Sequence, residues 1–270
     1  MSPGLVATDA LGRPLTLDAP PTRIVSLVPS LTELLAALDL GDETVGLTRF
    51  CVHPAGWKVA KQIVGGTKNV RVDRVQALRP DLVLASKEEN VREQVEAIAA
   101  FAPVYVTDVA TVADSIREIR ALGRITDRAE QAESLASRAE SAFAALEADA
   151  PAEPLRAAYL IWREPWMAVG GDTYVSDVMR RAGFANVHAD EARYPTVDLP
   201  DLSAADVVLL SSEPYPFAEE HAAEVEAAAP GARAVLVDGE AFSWYGARTA
   251  EAPAYLRALR ERLERTGGAD

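Results

Sequence analysis

The stretch that most constrains this chain lies near its middle, where residues 111–149 read as nearly continuous helix. Val112, Ile116, Ile119 and Leu122 recur at helical spacing, and Ala132, Leu135, Ala139, Phe143 and Leu146 make a second stripe. Asp127, with Glu130 three positions on, reads as a capping box restarting the helix after residues 123–126. The second part alone would span roughly 35 Å at about 1.5 Å per residue. Pro151 and Pro154 then stop it, since proline cannot continue a helix. Alternating strand and helix patterns flank this segment, so the chain is expected to be α/β, with two parallel-sheet lobes joined by a long rigid interdomain helix. The expected divisions are an N-terminal lobe over 1–110, a helical backbone over 111–150 and a C-terminal lobe over 151–270.

In the first half, residues 5–7 and 14–17 read as a hairpin, and strands are expected at 23–28, 44–47, 81–85 and 103–106. Helices are expected from Pro29-Ser30, with Ser30 and Glu33 in capping-box register, around 73–78, and over 88–100. Residues 64–69 read as a loop. After the rod, strands are expected at 155–161, 206–210 and 234–237, and helices at 173–182, 217–228 and 249–265, with an aromatic loop over 162–172. Asp81-Leu82-Val83-Leu84-Ala85-Ser86 echoes Asp206-Val207-Val208-Leu209-Leu210-Ser211, and a Val-Gly-Gly turn precedes each at Val64 and Val169. Duplication of one lobe explains two matches in the same order.

Composition enters as exclusion. A net charge of −14 repels nucleic acid and anionic membrane surfaces. Cys51 is the one cysteine, which rules out an internal disulfide and a cysteine-rich zinc site. No apolar run approaches the roughly 18 residues of a membrane span. Met1-Ser2-Pro3-Gly4 lacks the basic segment and apolar core of a signal peptide, which leaves a cytoplasmic chain, or one whose leader was replaced by a start methionine, as the expectation.

Open α/β sheets bind ligands in the loops after strands. Here those loops hold Phe50, Cys51 and His53; Thr67, Lys68 and Asn69; Trp162, Arg163, Trp166 and Met167; and Phe242, Trp244, Tyr245 and Arg248. Aromatics beside arginines suit a large, flat, polar-rimmed molecule better than core. Cys51 and His53 invite a nucleophile-and-base or metal-pair reading. A nucleophile needs a third orienting group and a metal needs three or four ligands, so a loop pair lining a pocket is the preferred reading. Gly65-Gly66 and Gly170-Gly171 fit no phosphate-loop pattern and read as tight turns.

With these residues in view, the sequence resembles the cobalamin-binding members of the helical-backbone metal-receptor family. These are class III periplasmic binding proteins, the substrate-binding components of ABC importers for cobalamin, haem and iron-siderophores. The resemblance is carried by Arg23-Ile24-Val25-Ser26-Leu27-Val28-Pro29-Ser30, Val64-Gly65-Gly66-Thr67, Leu78-Arg79-Pro80-Asp81 and the central rod. Asp172-Thr173-Tyr174, Ala182-Gly183 and Asn186-Val187 extend it, and Phe50-Cys51-Val52-His53-Pro54 and Ser243-Trp244-Tyr245-Gly246 point to the cobalamin subgroup.

The resemblance implies non-enzymatic binding of a corrinoid in the interlobe cleft, with no catalytic residue or cofactor, and delivery to an ABC importer permease. Phe50, Trp162, Trp166, Trp244 and Tyr245 would pack on the corrin, and Arg163, Arg248, Lys68 and Asn69 would bond its amides or nucleotide phosphate. Pro29, Ser30, Cys51, Thr67 and Gly171 complete the expected lining, and His53 would approach the cobalt. Glu93 and Asp201 would seat on permease arginines, although the segment around Asp201 is about two residues shorter than in the family pattern. The family implies a monomer in the periplasm or on the cell surface. The alternatives are a haem or ferric-siderophore receptor, a cytoplasmic corrinoid-handling protein, and an enzyme using Cys51 and His53.

Overall fold

A computed structural model describes residues 5–267. They form two compact units. The first takes the residues up to Val109 with Ala113–Arg138 and Tyr245–Ala247; the second takes Ala110–Val112, Ala139–Trp244 and the residues from Arg248 on.

The first unit opens with the expected hairpin, β1 (Leu5–Thr8) against β2 (Pro14–Leu17), antiparallel with Leu5 opposite Leu17. Its turn is held by the buried Asp9, which accepts from the Leu11 and Arg13 amides and pairs with the Arg13 guanidinium at 2.6 Å. There follow β3 (Ile24–Ser26), α1 (Pro29–Ala37), β4 (Thr44–Leu47), α2 (Trp57–Ala60), β5 (Gln62–Ile63), β6 (Gly65–Gly66), β7 (Asn69–Val70), α3 (Val72–Ala77), β8 (Leu82–Ser86), α4 (Arg92–Ala99) and β9 (Val104–Thr107). The main sheet runs β5-β4-β3-β8-β9, all parallel. β3 and β8 are buried at every position, as strands covered on both faces must be, so they read as apolar runs without alternation. Strand order reverses between β3 and β8, and the carboxyl ends there are where an open parallel sheet offers a crevice.

Two local expectations fail in this unit. α1 begins at Pro29 with Val28 at the cap and no side-chain cap bond, so Ser30 lies inside the first turn and cannot cap it. Proline at the first helical position needs no N–H partner there, which makes a capping side chain unnecessary. Residues 64–69 are not a plain loop, since β6 and β7 pair as a hairpin with Thr67-Lys68 at its tip.

The central segment is two helices, α5 (Val112–Ile125) and α6 (Ala129–Ala148). Asp127 does not cap the second; it ends the first. Its φ is +56°, and the Arg128 amide reaches back to the Gly123 carbonyl at 2.7 Å, the six-to-one bond of a left-handed helix C-cap. A Cβ on Gly123 would lie 2.2 Å from that of Ala132, so the helices meet at this corner only because residue 123 is glycine. Arg120 and Glu133 pair across the corner at 2.8 Å, and that bond holds the Glu133 carboxyl down to about 2.

The second unit contains β10 (Leu155–Trp162), β11 (Met167–Ala168), α7 (Tyr174–Arg181), β12 (Phe184–Asn186), β13 (Val207–Ser211), α8 (Glu219–Ala228), β14 (Arg233–Val237), α9 (Gly239–Ser243) and α10 (Ala252–Gly267). β12, β13 and β14 run parallel to the β10 direction, whereas β11 folds back antiparallel on β10 inside the expected aromatic loop. The Thr173 hydroxyl caps α7 by accepting from the Ser176 amide, and Gly183 at φ +86° ends the turn after it.

The sequence echo has structural content. Asp81 accepts from the Thr22 and Arg23 amides at 2.8 Å, and Asp206 from the Arg156 amide at 2.9 Å. Each therefore ties the start of its strand to the strand beside it. At the other end, the Ser86 hydroxyl accepts from the Glu88 amide and the Ser211 hydroxyl from the Glu213 amide, both at 3.2 Å.

Candidate functional site

In the first unit the residues of interest gather after β4 and on the β6–β7 hairpin. Phe50 is 52% exposed, with the Arg49 guanidinium 5.6 Å from its ring centre. The Asn69 carboxamide oxygen accepts from Arg49 at 3.0 Å and from the Gly66 amide at 3.1 Å, so this end of the side chain shapes the hairpin. Lys68 reaches the Glu88 carbonyl at 2.6 Å. Asn90 fixes the hairpin from β8: its carboxamide accepts from the Ser86 amide at 2.8 Å and donates to the Thr67 carbonyl at 3.0 Å.

Other expected lining residues of this unit are enclosed. Pro29 and Ser30 are buried. The Cys51 thiol is fully buried against the hydroxyls of Thr32 at 3.0 Å and Thr48 at 3.2 Å, and burial pushes it above its ordinary value. A buried protonated thiol held by threonines is not an activated nucleophile. His53 is half-buried, and among the described residues no group of three or more His, Cys, Asp or Glu is arranged to hold a metal ion. Tyr245, expected among the second-lobe aromatics, counts with the first unit: it is 8% exposed, with its hydroxyl 3.1 Å from that of Thr107. Burial raises its phenol far above the ordinary value, so it stays a neutral hydrogen-bonding group.

In the second unit an aromatic cluster forms at the carboxyl ends of β10 and β13. Trp162, 41% exposed, meets Tyr215 edge-on at 5.7 Å, and Trp166 stacks on Phe217 at 5.7 Å with the rings 5° from parallel. Tyr215 and Phe217 lie 4.7 Å apart. His221 accepts the Ala218 amide at Nδ1, which leaves the proton on Nε2, 3.2 Å from the Tyr215 hydroxyl. The Arg163 guanidinium lies 5.6 Å from the Trp166 ring centre and pairs with Glu164 at 2.7 Å and Glu224 at 3.1 Å. Its charge is thus matched within the protein, which suits it to orient the indole more than to meet an anionic ligand.

Trp244 is 8% exposed and donates its indole N–H to Glu213 at 2.7 Å; Arg248 covers its face at 5.1 Å and pairs with Glu240 at 2.7 Å. Gly171 is exposed, and a Cβ there would lie 1.9 Å from the Ala189 carbonyl. Tyr215, Phe217, His221 and Arg49 were not singled out from sequence. The available signal was Glu213-Pro214-Tyr215-Pro216-Phe217, prolines interleaved with aromatics directly after a strand. Glu93 is exposed in the first turn of α4, and Asp201 is exposed in a short 3₁₀ helix, Leu199–Ala204. No helix among the described residues is long and apolar enough to cross a membrane.

Comparison with known proteins adds four findings. The family model described as periplasmic binding protein matches residues 24–213. The Vitamin B12-binding protein of Photorhabdus laumondii is 27% identical over 200 residues, covering 73% of this chain and 71% of that protein. Among solved structures, the periplasmic vitamin B12 binding protein BtuF of Vibrio cholerae matches with a TM-score of 0.75 at 20% identity, covering 91% of this chain and 98% of that one. The periplasmic heme-binding protein RhuT from Roseiflexus matches with a TM-score of 0.76 at 22% identity, over 89% and 97%. At such identities the structural likeness establishes the fold.

Proposed function

This chain belongs to the periplasmic binding protein family, and from that premise we propose that it binds cobalamin or a related corrinoid and delivers it to an ABC importer. The observation that carries the reading is the 27% identity over 200 residues to a Vitamin B12-binding protein. The chemistry of the loops supports it. A corrin is broad, flat and rimmed by amides, and the exposed Trp162, backed by Tyr215, offers a rigid aromatic face for it. Phe50 under Arg49 offers another in the first unit. The role is non-enzymatic, with the corrinoid as cargo, and the protein works in the periplasm or on the cell surface. Glu93 and Asp201 are the proposed contacts to the permease.

The test is titration of the purified protein with cyanocobalamin, followed by calorimetry and the visible spectrum, with haemin in parallel. One-to-one binding of the corrinoid is expected, and Trp162→Ala should weaken it by about tenfold, from the roughly 0.5–1.5 kcal/mol of an aromatic contact plus lost area. A second reading, haem as ligand, is compatible with this fold, which the heme-binding RhuT shares. A Soret shift with haemin and no heat with cyanocobalamin would establish it in place of the first. Binding of neither would end both.

A further inference from the structure

One cavity of the first unit borders the loops of the corrinoid reading, sharing Arg49 and Asn69 with them, but is lined as well by Arg71 and Arg74, which that reading does not use. It has a volume of about 350 Å³ and is lined by Arg49, Ile63, Gly65, Asn69, Arg71 and Arg74, where the end of β4, the edge strand β5, the β6–β7 hairpin and α3 come together. Half of its lining residues are arginines, in a chain whose net charge is −14.

The partners of these arginines are informative. Arg49 donates to the Asn69 carboxamide oxygen at 3.0 Å and Arg74 to the Ile63 carbonyl at 3.1 Å. Both acceptors are neutral, so they aim the guanidinium groups without cancelling their charge. Arg71 donates to both carboxylate oxygens of Asp73, at 3.3 Å from Nε and 3.4 Å from Nη2, but both bonds are long and both side chains more than half exposed, and an exposed pair of this kind contributes little and exchanges readily for another anion. Among the described residues Asp73 is the only carboxylate in an ion pair with any of the three. Elsewhere the same chain matches its arginines closely, as in Arg120 with Glu133 and Arg156 with Asp206. Gathering three like charges around one hollow is unfavourable unless an anion completes it. Asn69 has its oxygen committed to Arg49 and Gly66, which turns its amide nitrogen into a further donor for such an anion.

We propose that this cavity binds a small phosphate-bearing dianion, either inorganic phosphate or a phosphomonoester. Planar guanidinium forks bond phosphate oxygens in pairs, and forks set around one hollow, Arg49 from the loop after β4 and Arg71 and Arg74 from the start of α3, suit a tetrahedral group better than a flat carboxylate. The volume exceeds that of a bare phosphate and leaves room for a short organic portion. The proposal does not depend on corrinoid binding.

The experiment is calorimetric titration of the full chain at fixed ionic strength with sodium phosphate, glycerol 3-phosphate and, as a planar control, succinate. Saturable binding of at least one phosphate compound is expected, weakened about tenfold by Arg71→Gln or Arg74→Gln, as loss of one charge-assisted fork implies. Phosphate binding alone identifies the free ion as the ligand; tighter binding of glycerol 3-phosphate identifies the monoester. Both variants should melt like the parent and titrate cyanocobalamin unchanged, which separates a lost site from a lost fold. The proposal is overturned by no saturable heat with either phosphate compound, by equal affinity in folded variants, or by succinate binding as tightly as phosphate.

Discussion

Glu213 organises the loop that carries Trp244. One carboxylate oxygen accepts from the Ser243 hydroxyl and from the Trp244 indole N–H, both at 2.7 Å. Burial pushes this carboxyl above its ordinary value, and the two hydrogen bonds pull it part of the way back. A carboxyl raised on folding binds its proton more tightly in the native state. Its stabilising contribution is therefore complete below the unfolded value, about 4.3, and is lost as pH rises through the higher native value. Glu213→Gln keeps the acceptor without the buried charge, so its urea-unfolding free energy should fall less than the parent's between about pH 4 and pH 7. Glu213→Ala strands two donors and should cost about 1–3 kcal/mol at either pH. A parent and Gln variant with parallel pH profiles would contradict the sign argued here. Sequence alone names Trp162, Trp166 and Trp244 as candidates, because bulky aromatics in loops need a reason. It does not name Glu213, Tyr215 or Phe217 as the side chains they meet, since those contacts depend on which strands lie side by side.

Among the elements, the corner between α5 and α6 is the most demanding piece of local geometry. Gly123→Ala would drive a methyl group against Ala132 and the Arg128 carbonyl, 3.0 Å away, where backbone cannot yield cheaply. The expected loss is about 1–3 kcal/mol in urea unfolding, the usual penalty for overpacking, and a neutral result would mean the helices part easily at this corner. Periodicity made both helices legible but misassigned Asp127, because an acidic residue followed three positions later by glutamate suits a helix start and the left-handed φ that closes a helix cannot be read from spacing. Where burial dictates an apolar run the reading was close: residues 44–47 match β4 and residues 81–85 fall within one position of β8. The two-residue β5 and β11 and the three-residue β12 escaped it, since elements so short exist only through the partners that pair with them.

At the scale of the whole molecule, the two units repeat one plan, an aspartate tying adjacent strands at one end and a serine accepting an amide at the other. Each unit also presents an acidic residue in the first turn of a helix, Glu93 in one and Asp201 in the other. Both are exposed, and among the described residues neither is in an ion pair with this chain's own arginines or lysines, unlike Glu133, Asp177 or Asp206. An unpaired carboxylate at a helix start is stabilised by the backbone dipole and remains available to an outside cation. On a chain of net charge −14, such groups suit docking on a basic partner, with attraction that salt screens. Glu93→Ala and Asp201→Ala should each leave the cyanocobalamin titration unchanged, and each should weaken association with the cognate permease by about fivefold, in keeping with rim charges worth about 1 kcal/mol. The double variant should bind with a shallower salt dependence than the parent, because two of the screened contacts are gone. Importer-dependent uptake that the double variant sustains at the parent's rate would remove these two residues from the docking surface while leaving the ligand reading intact.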